Sequence, residues 1–410
     1  MNNIIGLTGR FGAGCTTIYS LLTTEENYVG FSLSTHLKET AQKNSEYNTF
    51  PKKNQRSYLQ NLGDLIREKN GQNYLAKKII KEIGKLNNSH DIVVDSFKNP
   101  AEVNEFRKKF PNFYLFAIDS ETEERWNRTK DIYDKDRKVF DKDDERDKGT
   151  DDIPYKGQQV KTCMKIADIL INNDKSFYNL DETINQKVVE EYGQKIKGHI
   201  KLIKDPGKRA PNLDELYMHQ ACSVSLRSQC LKRQVGAIIV RNGDEKGKGS
   251  YIIASGTNNV PYGETSCIEL KQCYRDMVKE KIIKDINYCP YCGKEHLNKK
   301  SNICNECSKE FYMPKLLDIC RAVHAEEQAI LQAAKLGISV EGTTLYTSTH
   351  PCLLCSKKII NSGIKSIVYL ESYPVLQSIE MLENCKIKRK KFEGVTSRVF
   401  NKLFLKEVSV

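Results

Sequence analysis

HAEEQAILQAAKLGISVEGTTLYTSTHPCLLC, residues 324–355, sets His324, Glu326, Cys352 and Cys355 on a regular chain rhythm. From His324 the apolar positions Ala325, Ala329, Ile330, Ala333 and Ala334 keep a helical period that stops at Gly337. Thr344-Leu345-Tyr346-Thr347 is rich in β formers, and Pro351 predicts the first turn of a second helix running through Ile359 and Ile360 to Gly363. Ile367-Val368-Tyr369-Leu370 follows as another strand, so the helix–strand–helix–strand order predicts neighbouring parallel strands in an α/β fold. His324, Cys352 and Cys355 then fall at helix N-termini, where the dipole favours thiolate. An imidazole and two thiolates are borderline-soft donors suited to Zn²⁺. Three protein ligands leave a fourth position for water, the pattern of a catalytic zinc that brings the water's pKa to about 7. Glu326 is left free to move protons between that water and a substrate. A purely structural zinc, or chance spacing, is the competing reading.

Upstream, Cys289-Pro290-Tyr291-Cys292 and Cys304-Asn305-Glu306-Cys307 make two CxxC knuckles joined by a short polar stretch. Such a pair predicts a closed four-thiolate structural zinc ribbon over residues 289–307, which folds a segment too small for its own core. Free thiols, or a set that recruits His296, Cys267, Cys273 or Cys320, would be the alternative. Further back, Asn212-Leu213-Asp214-Glu215 predicts an N-cap with its glutamate at N3, opening a helix through Tyr217, Ala221 and Val224. The basic run KIKGHIKLIKDPGKRAP, residues 195–211, reads as a loop and places a linker at 186–208. The tail Lys386-Ile387-Lys388-Arg389-Lys390-Lys391-Phe392 reads either as an edge strand guarded by lysines or as a nucleic-acid patch.

The chain opens on a second motif. The strand Ile4-Ile5-Gly6-Leu7-Thr8 runs into Gly9-Arg10-Phe11-Gly12-Ala13-Gly14-Cys15-Thr16-Thr17 and then a helix through Ile18 and Leu22. Glycines that turn N–H groups inward, next to a helix N-terminus, suit a phosphate. The spacing is that of GxxxxGK[ST], except that Cys15 stands where lysine belongs, which weakens phosphoryl transfer more than anion binding. The expected ligand is a nucleotide with Mg²⁺, on Gly9, Gly12, Gly14, Cys15, Thr16 and Thr17. A sensing module ranks above an active kinase. An NTPase that borrows an arginine and an architectural remnant are the alternatives. Ile92-Val93-Val94-Asp95 and Tyr114 to Asp119 read as further strands of a parallel sheet. Asp95 either holds a metal-bound water or caps the next helix. Lys130 to Asp152, dense in both charge signs, reads as a mobile lid or a solvated surface.

Composition bounds these readings. A chain of 410 residues exceeds the ~250–300 at which single cores stop growing, so two domains are expected. With 39% hydrophobic residues there is material for real cores, and no run of ~18 apolar residues signals a membrane span. A net charge of +12 favours anionic partners without separating nucleotides from nucleic acid. With no export leader evident, the 14 cysteines read as ligands and thiols of a cytoplasmic protein rather than as disulfides.

On these residues, together with Ser225 to Cys230, Arg233 to Val240, Thr257-Asn258-Asn259-Val260-Pro261 and Glu371-Ser372-Tyr373, the stretch 209–410 resembles the deoxycytidylate deaminase branch of the cytidine deaminase-like fold. The H-x-E…P-C-x-x-C pattern is that of zinc nucleobase deaminases in general. The resemblance implies zinc on His324, Cys352 and Cys355, with Glu326 as proton shuttle. It further implies Asn258 on the sugar, and Ser228 and Tyr373 near the phosphate and ring. Asn258 also reads as a loop asparagine before Pro261, and Tyr373 as core packing. Gln328 stands where relatives often carry asparagine.

Residues 1–185 resemble the deoxynucleoside-monophosphate and dephospho-CoA kinase group of P-loop proteins, through Gly9 to Thr16, Asp95 to Val103, Glu124-Arg125-Trp126-Asn127-Arg128 and Ala167 to Asn173. That likeness would place Arg125 and Arg128 in a lid over phosphates. The whole arrangement looks like the antiviral deoxycytidylate deaminases of bacteria. It implies hydrolysis of dCMP or dCTP, homo-oligomers and restraint by a regulatory nucleotide, a small RNA or another inhibitor. A nucleic-acid deaminase and a nucleotide-sensing regulator remain as other readings. Against the first stands the absence of a basic and aromatic stacking groove in the sequence.

Overall fold

The computed structural model describes residues 2–25, 28–43, 45–86, 90–149, 157–175, 185–244, 247–285, 288–289, 291–295, 303–310, 319–372 and 376–405. The chain divides into two compact units, Met1–Glu215 with Phe392–Val410, and Leu216–Lys391. Among the described residues no helix is long and apolar enough to cross a membrane.

In the first unit, strands β1 (Ile4–Gly9), β2 (Val29–Ser32), β3 (Ile92–Asp95), β4 (Phe113–Asp119) and β5 (Ile169–Asn172) are all parallel, in the order β5-β4-β1-β3-β2. β1 is central and buried along its whole length, as its unbroken apolar run requires when helices cover both faces. Helix α1 (Cys15–Glu25) leaves directly from its carboxyl end. Then follow α2 (Lys52–Asn70), α3 (Pro100–Lys109), α4 (Thr122–Thr129), α5 (Arg137–Lys148) and α6 (Gln186–Lys204). One face of the sheet packs Phe97, Phe106 and Phe113 with ring centroids 5.0 to 5.5 Å apart.

Two expectations are corrected here. The segment 186–208 is no linker. Most of it is α6, whose Tyr192, Ile196, Ile200 and Ile203 recur every three or four residues and bury in the core of the first unit, while its lysines face water. Nor is the charged stretch after Lys130 a merely solvated surface. α5 buries Phe140, Asp143, Asp144 and Asp147, because basic side chains far away in sequence meet the three acids. Asp144 pairs with Arg10 and Arg125, and Asp147 with Arg56 at 2.5 Å and Gln60 at 2.7 Å. Residues 150–152 lie outside the described residues.

In the second unit, strands β6 (Gly236–Arg241), β7 (Tyr251–Thr257), β8 (Thr344–Thr349), β9 (Ser366–Glu371) and β10 (Lys388–Lys391) form a sheet ordered β10-β9-β8-β6-β7. β8, β9 and β10 are parallel, whereas β6 runs antiparallel to both neighbours. β10 is the lysine-bearing edge strand. Helix α7 (Leu213–Ser225) opens with reciprocal bonds, the Glu215 N–H to Asn212 Oδ1 at 2.8 Å and the Asn212 N–H to Glu215 Oε2 at 2.9 Å, which is a capping box. Helices α8 (Ala325–Lys335) and α9 (Leu353–Asn361) follow. The chain then departs from an undivided 209–410 domain. After β10, the short strand β11 (Gly394–Val395) pairs antiparallel with β5 and closes the edge of the first sheet, so 392–410 belong to the first unit.

Candidate active site

His324 is the N-cap of α8 and Cys352 the N-cap of α9, two positions later than a helix opened by Pro351 would have it. β7 and β8 both run antiparallel to β6, and the Val323 N–H donates to the Asn259 carbonyl just past β7, so α8 and α9 start at the same end of the sheet. His324 Nδ1 lies 3.4 Å from Cys352 Sγ and 3.3 Å from Cys355 Sγ. A zinc bound tetrahedrally at ordinary Zn–N and Zn–S lengths would hold such atoms about 3.5 Å apart, so the three donors fit that ion. The Cys355 thiol points at Glu326 Oε2, 3.7 Å away, and Glu326 is only 4% exposed. Cys352 is brought down to about 4 by the hydrogen bond from Cys355 and by His324, while the same contact pushes Cys355 up. Burial raises the Glu326 carboxyl, which favours a group able to hold a proton.

A cavity of about 200 Å³ opens onto His324, Glu326 and Cys352. Asn258 lines it, but its side chain is engaged elsewhere. Oδ1 accepts from the Val235 N–H at 2.7 Å and Nδ2 donates to the Arg233 carbonyl at 2.8 Å, which staples the approach to β6. Ser228 is buried, is not part of this lining, and donates to the Asn258 carbonyl at 3.2 Å. Tyr373 lies outside the described residues. Gln328 accepts from the Thr257 N–H at 2.6 Å, so it pins β7 to α8.

The sequence reading missed His350. It is 3% exposed, stands edge-on to Tyr369 at 4.8 Å and lines the cavity. Its Nε2 has no hydrogen-bond partner among the described residues. Its place directly before Pro351 was the available signal. Arg233, Arg275 and Arg321 also line the cavity, and Arg321 lies 3.8 Å over the Tyr274 ring.

Position 256 holds this site in place. A Cβ there would meet the Ala325 carbonyl at 2.2 Å and the Ala329 nitrogen at 2.4 Å, so β7 and α8 touch through bare backbone. Gly256→Ala is expected to cost about 1–3 kcal/mol and to displace the start of α8. The melting midpoint should fall by several degrees and zinc content should drop; unchanged values for both would show that α8 tolerates the shift.

The ribbon cysteines also come together. The sulfurs of Cys289 and Cys307 are 3.6 Å apart and those of Cys292 and Cys304 3.7 Å, with all four within 4.8 Å. These separations are far beyond a disulfide bond and match the about 3.8 Å edge of a tetrahedron with Zn–S bonds of ordinary length. Backbone N–H groups, that of Cys307 first, bring Cys304 down to about 6. Cys267, Cys273 and Cys320 take no part in this group, and His296 lies outside the described residues.

In the first unit, Gly9, Gly12, Gly14, Cys15, Thr16 and Thr17 line a cavity of about 1100 Å³. Gly14 has φ +107°, and a Cβ there would stand 2.4 Å from Asn173 Nδ2, so position 14 accepts only glycine. The loop's shape is held from outside. The carbonyls of Phe11, Gly12 and Ala13 accept from Arg125, Arg128 and Asn173 at 3.3, 3.3 and 2.7 Å. Arg128 lines the cavity; Arg125 is fully buried with Asp144 at 2.5 Å. Asp95 is at the cavity, and the cap of α3 is Asn99, which removes the capping reading of Asp95.

A family model described as the cytidine and deoxycytidylate deaminase zinc-binding region matches residues 211–371. The deoxycytidylate deaminase of Schizosaccharomyces pombe is 33% identical over 208 residues, 51% of this chain and 48% of that one. The Saccharomyces cerevisiae deoxycytidylate deaminase is 29% identical over 203 residues, 48% of this chain and 52% of that one. The chain thus spans about half the length of these two fungal relatives. The deoxycytidylate deaminase of Enterobacteria phage T2 is 32% identical over 164 residues, which are 37% of this chain and 75% of the phage protein. Residues 211–371 run from α7 to the end of β9 and so carry the His324, Cys352 and Cys355 cluster together with Glu326; through this second unit the chain belongs to the cytidine and deoxycytidylate deaminase family.

Proposed function

We propose that the second unit hydrolyses the 4-amino group of cytosine in a deoxycytidine nucleotide, dCMP or dCTP, giving the deoxyuridine nucleotide and ammonia. The observation that carries this reading is the buried Glu326 carboxyl beside the His324, Cys352 and Cys355 donors, at a cavity with arginines on its wall. His324, Cys352 and Cys355 would hold the zinc, and Cys289, Cys292, Cys304 and Cys307 a second, structural one. When bound, the catalytic zinc supplies Lewis acidity that makes water a nucleophile near neutral pH. Glu326 takes a proton from the attacking water, gives it to ring N3, and moves a second one to the departing amino group. Oxygen bonds to C4, the C4–N bond breaks, and ammonia leaves. Arg233, Arg275 and Arg321 favour a substrate that carries phosphate.

The first unit, in this reading, is a kinase-like nucleotide-binding module that senses or gates. Its support is the parallel order around β1, the glycine loop leading into α1, and the adjoining cavity. A role in depleting the deoxycytidine pool during phage infection completes the proposal. It requires that Glu326→Ala abolish any plating defect the intact protein imposes on phage.

Ammonia release from dCMP, dCTP, CMP and single-stranded DNA, measured side by side, tests the reading. The free deoxynucleotides should turn over well ahead of CMP and DNA. Equal rates on DNA would make this a nucleic-acid deaminase instead.

A further inference from the structure

We propose that Lys98 supplies the ammonium which the glycine loop lacks at position 15, so that the cavity of the first unit takes the polyphosphate tail of a nucleotide. The assignment rests on the nucleotide-binding reading of that unit given above. Position 15 cannot carry the charge itself. A Cβ on Gly9 would lie 2.8 Å from Cys15 Sγ, so the thiol is tucked under the loop, and burial pushes it up to about 12. It is therefore neutral at physiological pH.

Lys98 arrives from the junction between β3 and α3. Its Nζ donates to the Gly9 carbonyl at 2.8 Å, at the first glycine of the loop, and its nearest acid is Asp147 at 3.8 Å. The path that brings it there is fixed residue by residue. Ser96 sits in the left-handed region at φ +72°, a conformation that costs a non-glycine residue about 1 kcal/mol or more. Phe97 is fully buried, donates its N–H to the Leu7 carbonyl at 3.1 Å and accepts the Thr8 hydroxyl at 2.8 Å. The N–H groups of Lys98 and Asn99 both donate to Glu102 at 3.1 Å. A strained turn held by this many contacts delivers one ammonium on a flexible four-carbon stem to the mouth of an anion-shaped loop.

The wall of the same cavity has unused polar capacity. Gln60 and Arg67, each 2% exposed, line it. Among the described residues Gln60 Oε1 and Arg67 Nη1 lack hydrogen-bond partners, Arg67 having only Asp64 at 4.0 Å on that nitrogen. The cavity is large enough for a nucleoside triphosphate.

The test is equilibrium binding of Mg-ATP, inorganic tripolyphosphate and adenosine to the full-length, zinc-replete protein. Lys98→Met should weaken ATP and tripolyphosphate at least about tenfold and leave adenosine unchanged, since a charge acts on phosphates alone. Lys98→Arg should recover most of the loss, and Cys15→Lys in the Lys98→Met background should restore part of it. If wild type binds ATP and Lys98→Met matches it within twofold, or if Lys98→Arg is no tighter than Lys98→Met, the assignment of Lys98 is overturned and the nucleotide reading stands. If wild type binds neither ATP nor tripolyphosphate, the nucleotide reading is overturned and the Lys98 assignment goes with it.

Discussion

Glu326→Gln is expected to cut kcat for deoxycytidine nucleotides by about 10³-fold while zinc content stays at the wild-type level. The substitution keeps the shape of a side chain that is 4% exposed and keeps an oxygen that can accept from Cys355, so neither packing nor the metal-donor cluster has reason to change. It removes the one capacity the reaction needs, that of taking a proton from water and returning it to the ring and the leaving amine. Burial makes the loss larger, because a site this enclosed offers bulk water no easy route as a substitute carrier. Elemental analysis alongside stopped-time ammonia assays separates the two ways of losing activity. Full zinc with lost turnover supports the shuttle. Turnover within tenfold of wild type would mean that another group, with His350 the first to examine, moves the protons.

Much of this site could be read from the chain because its parts are local. His324 and Glu326 are two residues apart, Cys352 and Cys355 three, and each pair sits at a helix start announced by apolar period and punctuation. The ribbon knuckles were equally local. What stayed hidden depends on partners distant in sequence. Asp143, Asp144 and Asp147 read as a solvated run, and only Arg10, Arg56 and Arg125, folded against them, explain why they bury. α6 carried a helical period in Tyr192, Ile196, Ile200 and Ile203, but five lysines along it and a following Pro-Gly turn made the stretch look like a linker. The strand β11 has two residues, too few for any period, and is defined by pairing with β5. Asn258 likewise has partners that its motif does not announce. Its residue type fits a sugar contact, yet its amide is committed to the backbone of Arg233 and Val235.

Glu102→Ala should destabilise the first unit by about 3–5 kcal/mol, the range for breaking a buried ion pair from one side. Glu102 is fully buried and Arg67 2% exposed. Oε1 accepts from Arg67 Nε at 3.0 Å and Nη2 at 2.8 Å, while Oε2 accepts the N–H groups of Lys98 and Asn99. One carboxylate therefore neutralises a buried guanidinium, closes the capping box of α3 and fixes the backbone that carries Lys98. Removing it leaves Arg67 charged in the interior, and desolvation makes that the dominant cost. The chain's single tryptophan, Trp126, lies on α4 with its ring 5.3 Å from Phe140 on α5, so its fluorescence follows urea unfolding of this unit alone. Combining Arg67→Met with Glu102→Leu should recover a large part of the loss, since no charge is then stranded. If Glu102→Ala costs less than about 1 kcal/mol, within the range of an exposed pair, Arg67 must find another anion or water on the cavity wall. The double variant should still bind polyphosphate more weakly than wild type, because the turn that presents Lys98 loses its carboxylate anchor even after stability has returned.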